Sequence, residues 1–307
     1  MSLTVVGTVA FDAIETPFGK TNKIIGGAGT YIALSASYFK KDINVISVVG
    51  SDFPEEYIDM LNTHNINTEG IQIKKGEKTF FWSGKYHDNM NVRDTLVTEL
   101  NSLAKFDPIV PDSYQDSEYL MLGNLTPVIQ RQVVERIKNR PKLIVLDTMN
   151  FWMDTMHQEL IKTIKFVDVI SINDEEAQQL SGEHSLVKAA KAIHKMGPKY
   201  VIIKKGAHGA LLFGEGKVFS APALPLESVF DPTGAGDTFA GGFVGYLAKT
   251  DDISFDNMKN AVIAGSVMAS FNVEKFGTER IQELTEKEIN ERVERFIELV
   301  SFDMKSI

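Results

Sequence analysis

The sequence predicts an α/β fold on a mostly parallel sheet, and three observations carry that expectation. From Glu118 onward, short apolar runs alternate with longer amphipathic ones: Tyr119–Leu122, Val128–Lys138, Leu143–Leu146, Thr155–Lys165, Val167–Ile172 and Asp174–Leu180. Such alternation is the mark of successive strand–helix–strand units. The run Ile43–Val49 is apolar enough to be a buried strand. With 307 residues, 43% of them hydrophobic, the chain can bury a large core. It exceeds the usual domain of ~100–150 residues, but α/β folds often reach this size as one domain. The expectation is a single domain over 1–307.

Composition narrows the function. A net charge of −9 and a pI near 5.3 argue against a nucleic-acid partner or an anionic membrane surface. The absence of cysteine removes disulfides, thiolate metal sites and cysteine nucleophiles. No basic segment precedes an apolar run at the start, and no apolar run approaches the ~20 residues of a membrane span. A cytoplasmic location is expected.

Taken in order, Leu3–Gly7 is a short buried strand, followed by Ala10-Phe11-Asp12. Ile14–Ile25, with Pro17 and Gly19 between extended flanks, suggests a hairpin. Gly26-Gly-Ala-Gly-Thr-Tyr31 then opens an amphipathic run to Phe39. Gly50–Pro54 leads into a helix ending near Asn62. Lys78–Tyr86 and Asn91–Glu99 are strand-like runs around a turn at His87–Met90. Phe80, Trp82 and Tyr86 share one face at period two. That face could stack a sugar or base, meet a partner subunit, or shield the chain's own core. Arg93 could reach a ligand or stay solvated. Ser185–Met196 is helical with Lys188, Lys191 and Lys195 on one solvated face. Tyr200–Lys204 and Ala210–Phe213 are strands around a Gly206–Gly209 turn. Asn257–Phe271 and Glu286–Val300 are helices.

The stretch with the most chemistry is Asp231-Pro-Thr-Gly-Ala-Gly-Asp-Thr-Phe239. It combines a turn, a small-residue loop and an acid in a first helical turn. Small residues let a backbone approach a ligand, and N–H groups at a helix start are unpaired and partly positive. That makes an anion site. A carboxylate beside it suits a reaction in which a hydroxyl loses its proton while charge gathers on a phosphoryl group. Taken alone, the pattern is equally that of a capped helix whose Asp237 complements the dipole. Asn173-Asp-Glu-Glu176 carries a similar choice, since Asn followed by Glu three residues on is also a capping box. Asn124, Asp147 and Asn173 all fall at strand ends, where ligands of parallel sheets bind.

DPTGAGDTFAGGF resembles the second signature of the ribokinase-like (PfkB) carbohydrate kinases, and the resemblance extends over essentially the whole chain. It implies a three-layer α/β/α fold with a small β-sheet lid, formed by about 14–25 and 78–99, that covers the acceptor site. It implies Asp237 as catalytic base and the Gly234, Ala235 and Gly236 amides as the anion hole. Asp12, Gly26 and Gly27 would bind the acceptor, with Tyr31 where many members carry Asn, and Arg93 assisting from the lid. Asn173, Lys204, Gly206, Gly209 and Asn272 would lie along the nucleotide. Glu176 would hold Mg2+ largely through water, and Asp231 would belong to a monovalent-cation site for K+. The implied reaction moves the γ-phosphoryl of ATP to a hydroxyl of a neutral sugar or polyol. A nucleoside kinase, with a small-molecule nucleoside acceptor, is the nearest alternative, and a non-catalytic sugar- or nucleotide-binding regulator is another. A nicotinamide oxidoreductase is disfavoured, because GxGxxG is missing after the first strand. An exposed lid face would also favour a homodimer.

Overall fold

Strand runs that are apolar at successive positions must be covered on both faces, and two groups of helices provide that cover. The computed structural model describes residues 2–90, 92–301 and 303. The chain begins with β1 (Leu3–Val6), β2 (Ala10–Thr16), β3 (Gly19–Lys20), β4 (Ile24–Gly26) and α1 (Ala28–Ser37). It continues through β5 (Ile43–Gly50), α2 (Glu55–Thr63), β6 (Ile66–Asn67), β7 (Ile71–Lys74), β8 (Phe81–Tyr86) and β9 (Arg93–Glu99). The regular alternation follows: β10 (Tyr119–Leu122), α3 (Pro127–Arg136), β11 (Leu143–Asp147), α4 (Asn150–Thr155), α5 (His157–Ile164), β12 (Val169–Asn173), α6 (Asp174–Ser181), α7 (Leu186–His194) and β13 (Tyr200–Lys204). The remainder is β14 (Ala210–Gly214), β15 (Lys217–Ala221), α8 (Ala235–Thr250), α9 (Phe255–Asn272), α10 (Glu279–Gln282) and α11 (Glu286–Val300).

Ten strands form the main sheet in the order β15-β14-β13-β12-β11-β10-β1-β5-β6, with β7 also on β5. Its pairings are parallel from β13 to β7, and the β13–β14 and β14–β15 pairings are antiparallel, so that β14 is the reversed strand. Successive side chains point to opposite faces. Val5, Met121 and Val145 therefore join a core with α1, α8 and α9, while Val6, Leu122 and Leu146 join a second core with α3, α5, α6 and α7. The result is the expected three-layer architecture.

A second sheet of five strands, β3-β2-β8-β9 with β4 on β2, is the small lid sheet. It is larger at its root than the hairpin reading allowed. Asp12 was expected near the end of the first strand, but β1 stops at Val6 and Asp12 lies within β2 of the lid sheet. The chain changes sheets over residues 7–9, a switch that apolar patterning alone does not mark. The strand expected over Lys78–Tyr86 begins only at Phe81; Asn91, expected at the start of the next, lies outside the described residues. One further difference is local: Asn150–Thr155 is an additional short helix. Helix α8 begins at Ala235, with Asp237 in its first turn as expected.

Helices α1 and α8 pack unusually close. A Cβ placed on Gly241 would lie 2.3 Å from the Ile32 carbonyl oxygen, and one on Gly245 would lie 2.8 Å from the Ala36 Cα. This contact holds the start of α8 against the sheet. Gly241→Val should therefore destabilise the fold by about 1–3 kcal/mol, the usual cost of overpacking, with a lower urea midpoint and an unchanged slope as the check.

Candidate active site

The start of α8 is built by constraints from three sides. Gly234 is its N-cap, with φ of 73°. A Cβ there would lie 2.5 Å from the Tyr31 ring, so both conformation and space demand glycine. Asp231 is wholly buried and accepts from the Thr233 N–H at 2.8 Å and the Gly277 N–H at 2.7 Å. Asn272 donates to the Thr233 carbonyl at 2.8 Å and accepts from the Thr238 hydroxyl at 3.1 Å. The loop is thereby tied to the end of α9 and the segment after it.

Within the loop, Ala235 donates its N–H to the Pro232 carbonyl at 3.1 Å. The N–H groups of Gly234, Gly236 and Asp237 have no partner among the described residues. The expected amide set of Gly234, Ala235 and Gly236 is thus corrected at its middle member: the turn that shapes the loop uses that donor, and Asp237's own amide is free instead. Lys204 brings a positive charge to the same place, since a Cβ on Gly236 would lie 3.1 Å from its Nζ. That ammonium is held 2.8 Å from Asp147 Oδ2 at the end of β11, and both groups are largely buried.

Five acids surround this point. Asp237 stands in the first turn of α8, enclosed by protein yet with some solvent contact. Burial pushes its carboxyl up to about 7, with Asp147 and Asp12 adding repulsion, against the pull of Lys204 and Arg93. Asp12 is 5% exposed and accepts from the Gly27 N–H at 3.3 Å. It too is raised to about 7, by burial first; the Gly27 N–H opposes and Asp231 adds to the rise. Its carboxylate lies directly over Gly26, where any Cβ would overlap it. Glu176 closes a capping box with Asn173, each side chain bonding the other's backbone N–H at 2.8 Å. Burial raises it to about 7 as well. Burial also raises Asp147 and Asp231.

The structure thus brings Asp12, Gly26, Gly27, Glu176, Lys204, Gly234, Gly236 and Asp237 into one neighbourhood. Beside them a cavity of about 410 Å³ is lined by Lys204, Gly206, Gly209 and Gly236, with apolar walls that include Leu224, Pro225 and Ala269. Arg93 is exposed, lies over the Trp82 ring at 5.2 Å, and acts electrostatically on Asp12, Asp237 and Glu176. Three expected contacts sit elsewhere. Asn272 is fully buried with both ends of its amide engaged, so it braces the loop and does not face a nucleotide. Asn173 uses its side-chain oxygen as a helix cap and does not line the cavity. Tyr31 is 1% exposed beneath Gly234, a floor rather than an open wall, and its hydroxyl has no hydrogen-bond partner among the described residues. Sequence reasoning placed Asp147 near the cleft but missed its pairing with Lys204. It also missed Thr233, whose hydroxyl donates to that of Tyr86 at 3.2 Å and links loop to lid.

Among the described residues no cluster of three or more His, Asp or Glu is arranged to hold a metal by itself. Glu176 Oε2 is used by the cap, while Oε1 has no hydrogen bond among the described residues.

An anion loop at a helix start, a buried lysine beside it, and an acid in the same turn define a phosphotransferase with a hydroxyl acceptor. Residues 2–284 match the model of the pfkB family carbohydrate kinases, and the chain belongs to that family, whose members use ATP. It is 31% identical to a cytidine kinase from Thermococcus kodakarensis, over 80% of this chain and 87% of that one. A ribokinase from Haemophilus influenzae is 29% identical over 91% and 94%. Among solved structures, the nucleoside kinase of Methanocaldococcus jannaschii superposes with a TM-score of 0.78 at 20% identity, covering 96% of this chain and 98% of its own. The Arabidopsis thaliana ribokinase complexed with ribose and ATP gives 0.75 at 21% identity, covering 95% and 98%.

The elevated Asp237 has a consequence for stability. With its carboxyl raised from 3.8 to about 7 in the fold, the folded chain binds a proton that the unfolded chain has released between those values. The resulting stability is complete below about pH 4 and is lost as pH rises through 7. Asp237→Asn should match wild type in thermal unfolding at pH 4 and exceed it at pH 8.5. Because the carboxyl keeps some solvent contact, the gain is about 1–3 kcal/mol.

Proposed function

We propose that this kinase transfers the γ-phosphoryl group of ATP to a hydroxyl of a neutral sugar or polyol. The observation that carries the proposal is the position of Asp237, between unpaired amides, the Lys204 ammonium and the Asp12 carboxylate. Asp237 takes the acceptor's hydroxyl proton as the new O–P bond forms and the bond to ADP breaks. The amides of Gly234, Gly236 and Asp237, with Lys204, hold the charge on the phosphoryl oxygens. Mg2+, when bound near Glu176, supplies neutralising charge to the phosphates. Asp12 grips acceptor hydroxyls, its carboxylate accepting two hydrogen bonds. Asp231 contributes to a K+ site beside the loop, its oxygens already drawn there by two N–H groups.

Neutrality of the acceptor follows from charge. A second phosphate would need converging cations, yet Asp231 adds negative charge at Asp12 and Asp237 stands close by, and the cation that acts on Asp12 is Arg93 of the lid. A nucleoside acceptor is the second reading, supported by the Trp82 ring on the lid and by the likeness to a cytidine kinase. We further take the chain as one kinase unit, 1–307, whose lid sheet pairs with a second copy. Leu96 and Val97 on β9 are 54% and 41% exposed, and an uncovered apolar edge strand seeks a partner. Leu96→Glu should convert a dimer to a monomer in sedimentation; a wild-type monomer would refute the pairing.

Release of ADP measured across sugars, polyols, nucleosides and sugar phosphates should show turnover with neutral acceptors. Asp237→Asn should lower kcat by at least ~100-fold with ATP binding retained, the scale of a positioned base. Asp12→Ala should raise the acceptor KM and leave that for ATP unchanged. Turnover confined to sugar phosphates would reverse the reading of the acceptor site.

A further inference from the structure

Two turns of the lid sheet reach the body of the molecule near the Asp231–Asp237 loop. Phe18, at the turn between β2 and β3, stacks on Phe230 with ring centroids 4.8 Å apart, one residue before Asp231. The turn between β8 and β9 reaches further: Asn89 and Met90 line the cavity that also holds Lys204, Gly206 and Gly236. Strand β9 is exposed along its whole length, yet Met90, at the tip of the same hairpin, is half-buried. The cavity is what it faces.

The tip is shaped rather than loose. Met90 donates its N–H to the His87 carbonyl at 2.8 Å, His87 donates to Val92 at 3.1 Å, and the Asn89 side-chain oxygen accepts from the Val92 N–H at 3.1 Å. Met90 adopts a left-handed φ of 55°, a conformation that non-glycine residues take at a cost. The Asn89 side-chain oxygen is thus engaged by the turn, and Met90 lines the cavity beside it. A soft, flexible, apolar side chain is suited to cover a planar base or a sugar face. Three residues further on, Arg93 acts on Asp12, Asp237 and Glu176, and Tyr86 meets Thr233 of the loop. One short hairpin therefore lines the cavity, bonds to the phosphoryl loop and acts through its charge on the acceptor acid.

We propose that the β8–β9 turn is part of the nucleotide site, with Met90 closing the cavity over the bound donor, so that the lid senses donor as well as acceptor. This rests on reading the cavity as the donor site. Met90→Gly is a mild probe, because glycine relieves the left-handed backbone while removing the side chain. Calorimetric binding of AMP-PNP with Mg2+ should weaken on the order of tenfold in Met90→Gly, the scale of lost apolar contact in a pocket. Met90→Leu should stay within about threefold of wild type, being close in volume. In a Trp152→Phe background, where Trp82 of the lid is the one remaining tryptophan, AMP-PNP alone should shift the emission, and Met90→Gly should abolish the shift. Equal AMP-PNP affinity in wild type and Met90→Gly, or Trp82 emission indifferent to AMP-PNP while it binds, overturns the inference and leaves the donor cavity standing. Wild type that fails to bind AMP-PNP overturns the donor cavity itself, and the inference with it.

Discussion

A single buried carboxylate fixes the geometry on which the rest depends. Asp231 takes N–H groups from Thr233 and from Gly277, forty-six residues later. Two segments that share no secondary structure are thereby locked together at the entrance to α8. The desolvation that raises its pKa is offset by these bonds, since a charge in the interior is tolerable only when fully hydrogen-bonded. Asn272 adds a second tie from the end of α9. With the loop so restrained, the unpaired amides of Gly234, Gly236 and Asp237 are held in place at the start of α8, the preorganisation that the proposed anion site requires.

The same neighbourhood stores an electrostatic debt. Asp12, Asp147, Glu176, Asp231 and Asp237 all lie in or beside the cleft, and burial raises every one. Lys204 and Arg93 are the cations that answer them in these couplings. Such a centre favours cations and hydroxyl-bearing ligands over bare anions. A nucleotide that arrives with its divalent cation brings compensation for both signs at once.

Much of this was legible in the sequence, for identifiable reasons. The βαβ alternation and the small-residue loop are local patterns, and local patterns survive without tertiary information. Helix α11 was delimited residue for residue because a capping box and a strong apolar stripe mark it. Two misplacements share one cause: whether a side chain is spent inside the protein can depend on partners distant in sequence. Asn272 looked available to a nucleotide, but Thr233 and Thr238 consume it; Tyr31 looked like a ligand contact, but Gly234 sits on its ring. That Asp12 belongs to the lid sheet was not legible, because the chain changes sheets over Gly7–Val9 and a Gly-Thr pair does not announce such a switch.

That change of sheets has a mechanical side. The root of the lid is pinned: Gly7 donates to Ile46, Val9 to the Ser47 hydroxyl, and Thr8 accepts from Gly29 and Ala28. Strand β2 leaves this anchor as a lever, with Asp12 about 10 Å from the fulcrum and Phe18 about 30 Å away at ~3.3 Å per residue. A given rotation then displaces the tip roughly three times as far as the acid. Asp12, close to the anchor, is therefore better held in place than any residue further out along β2.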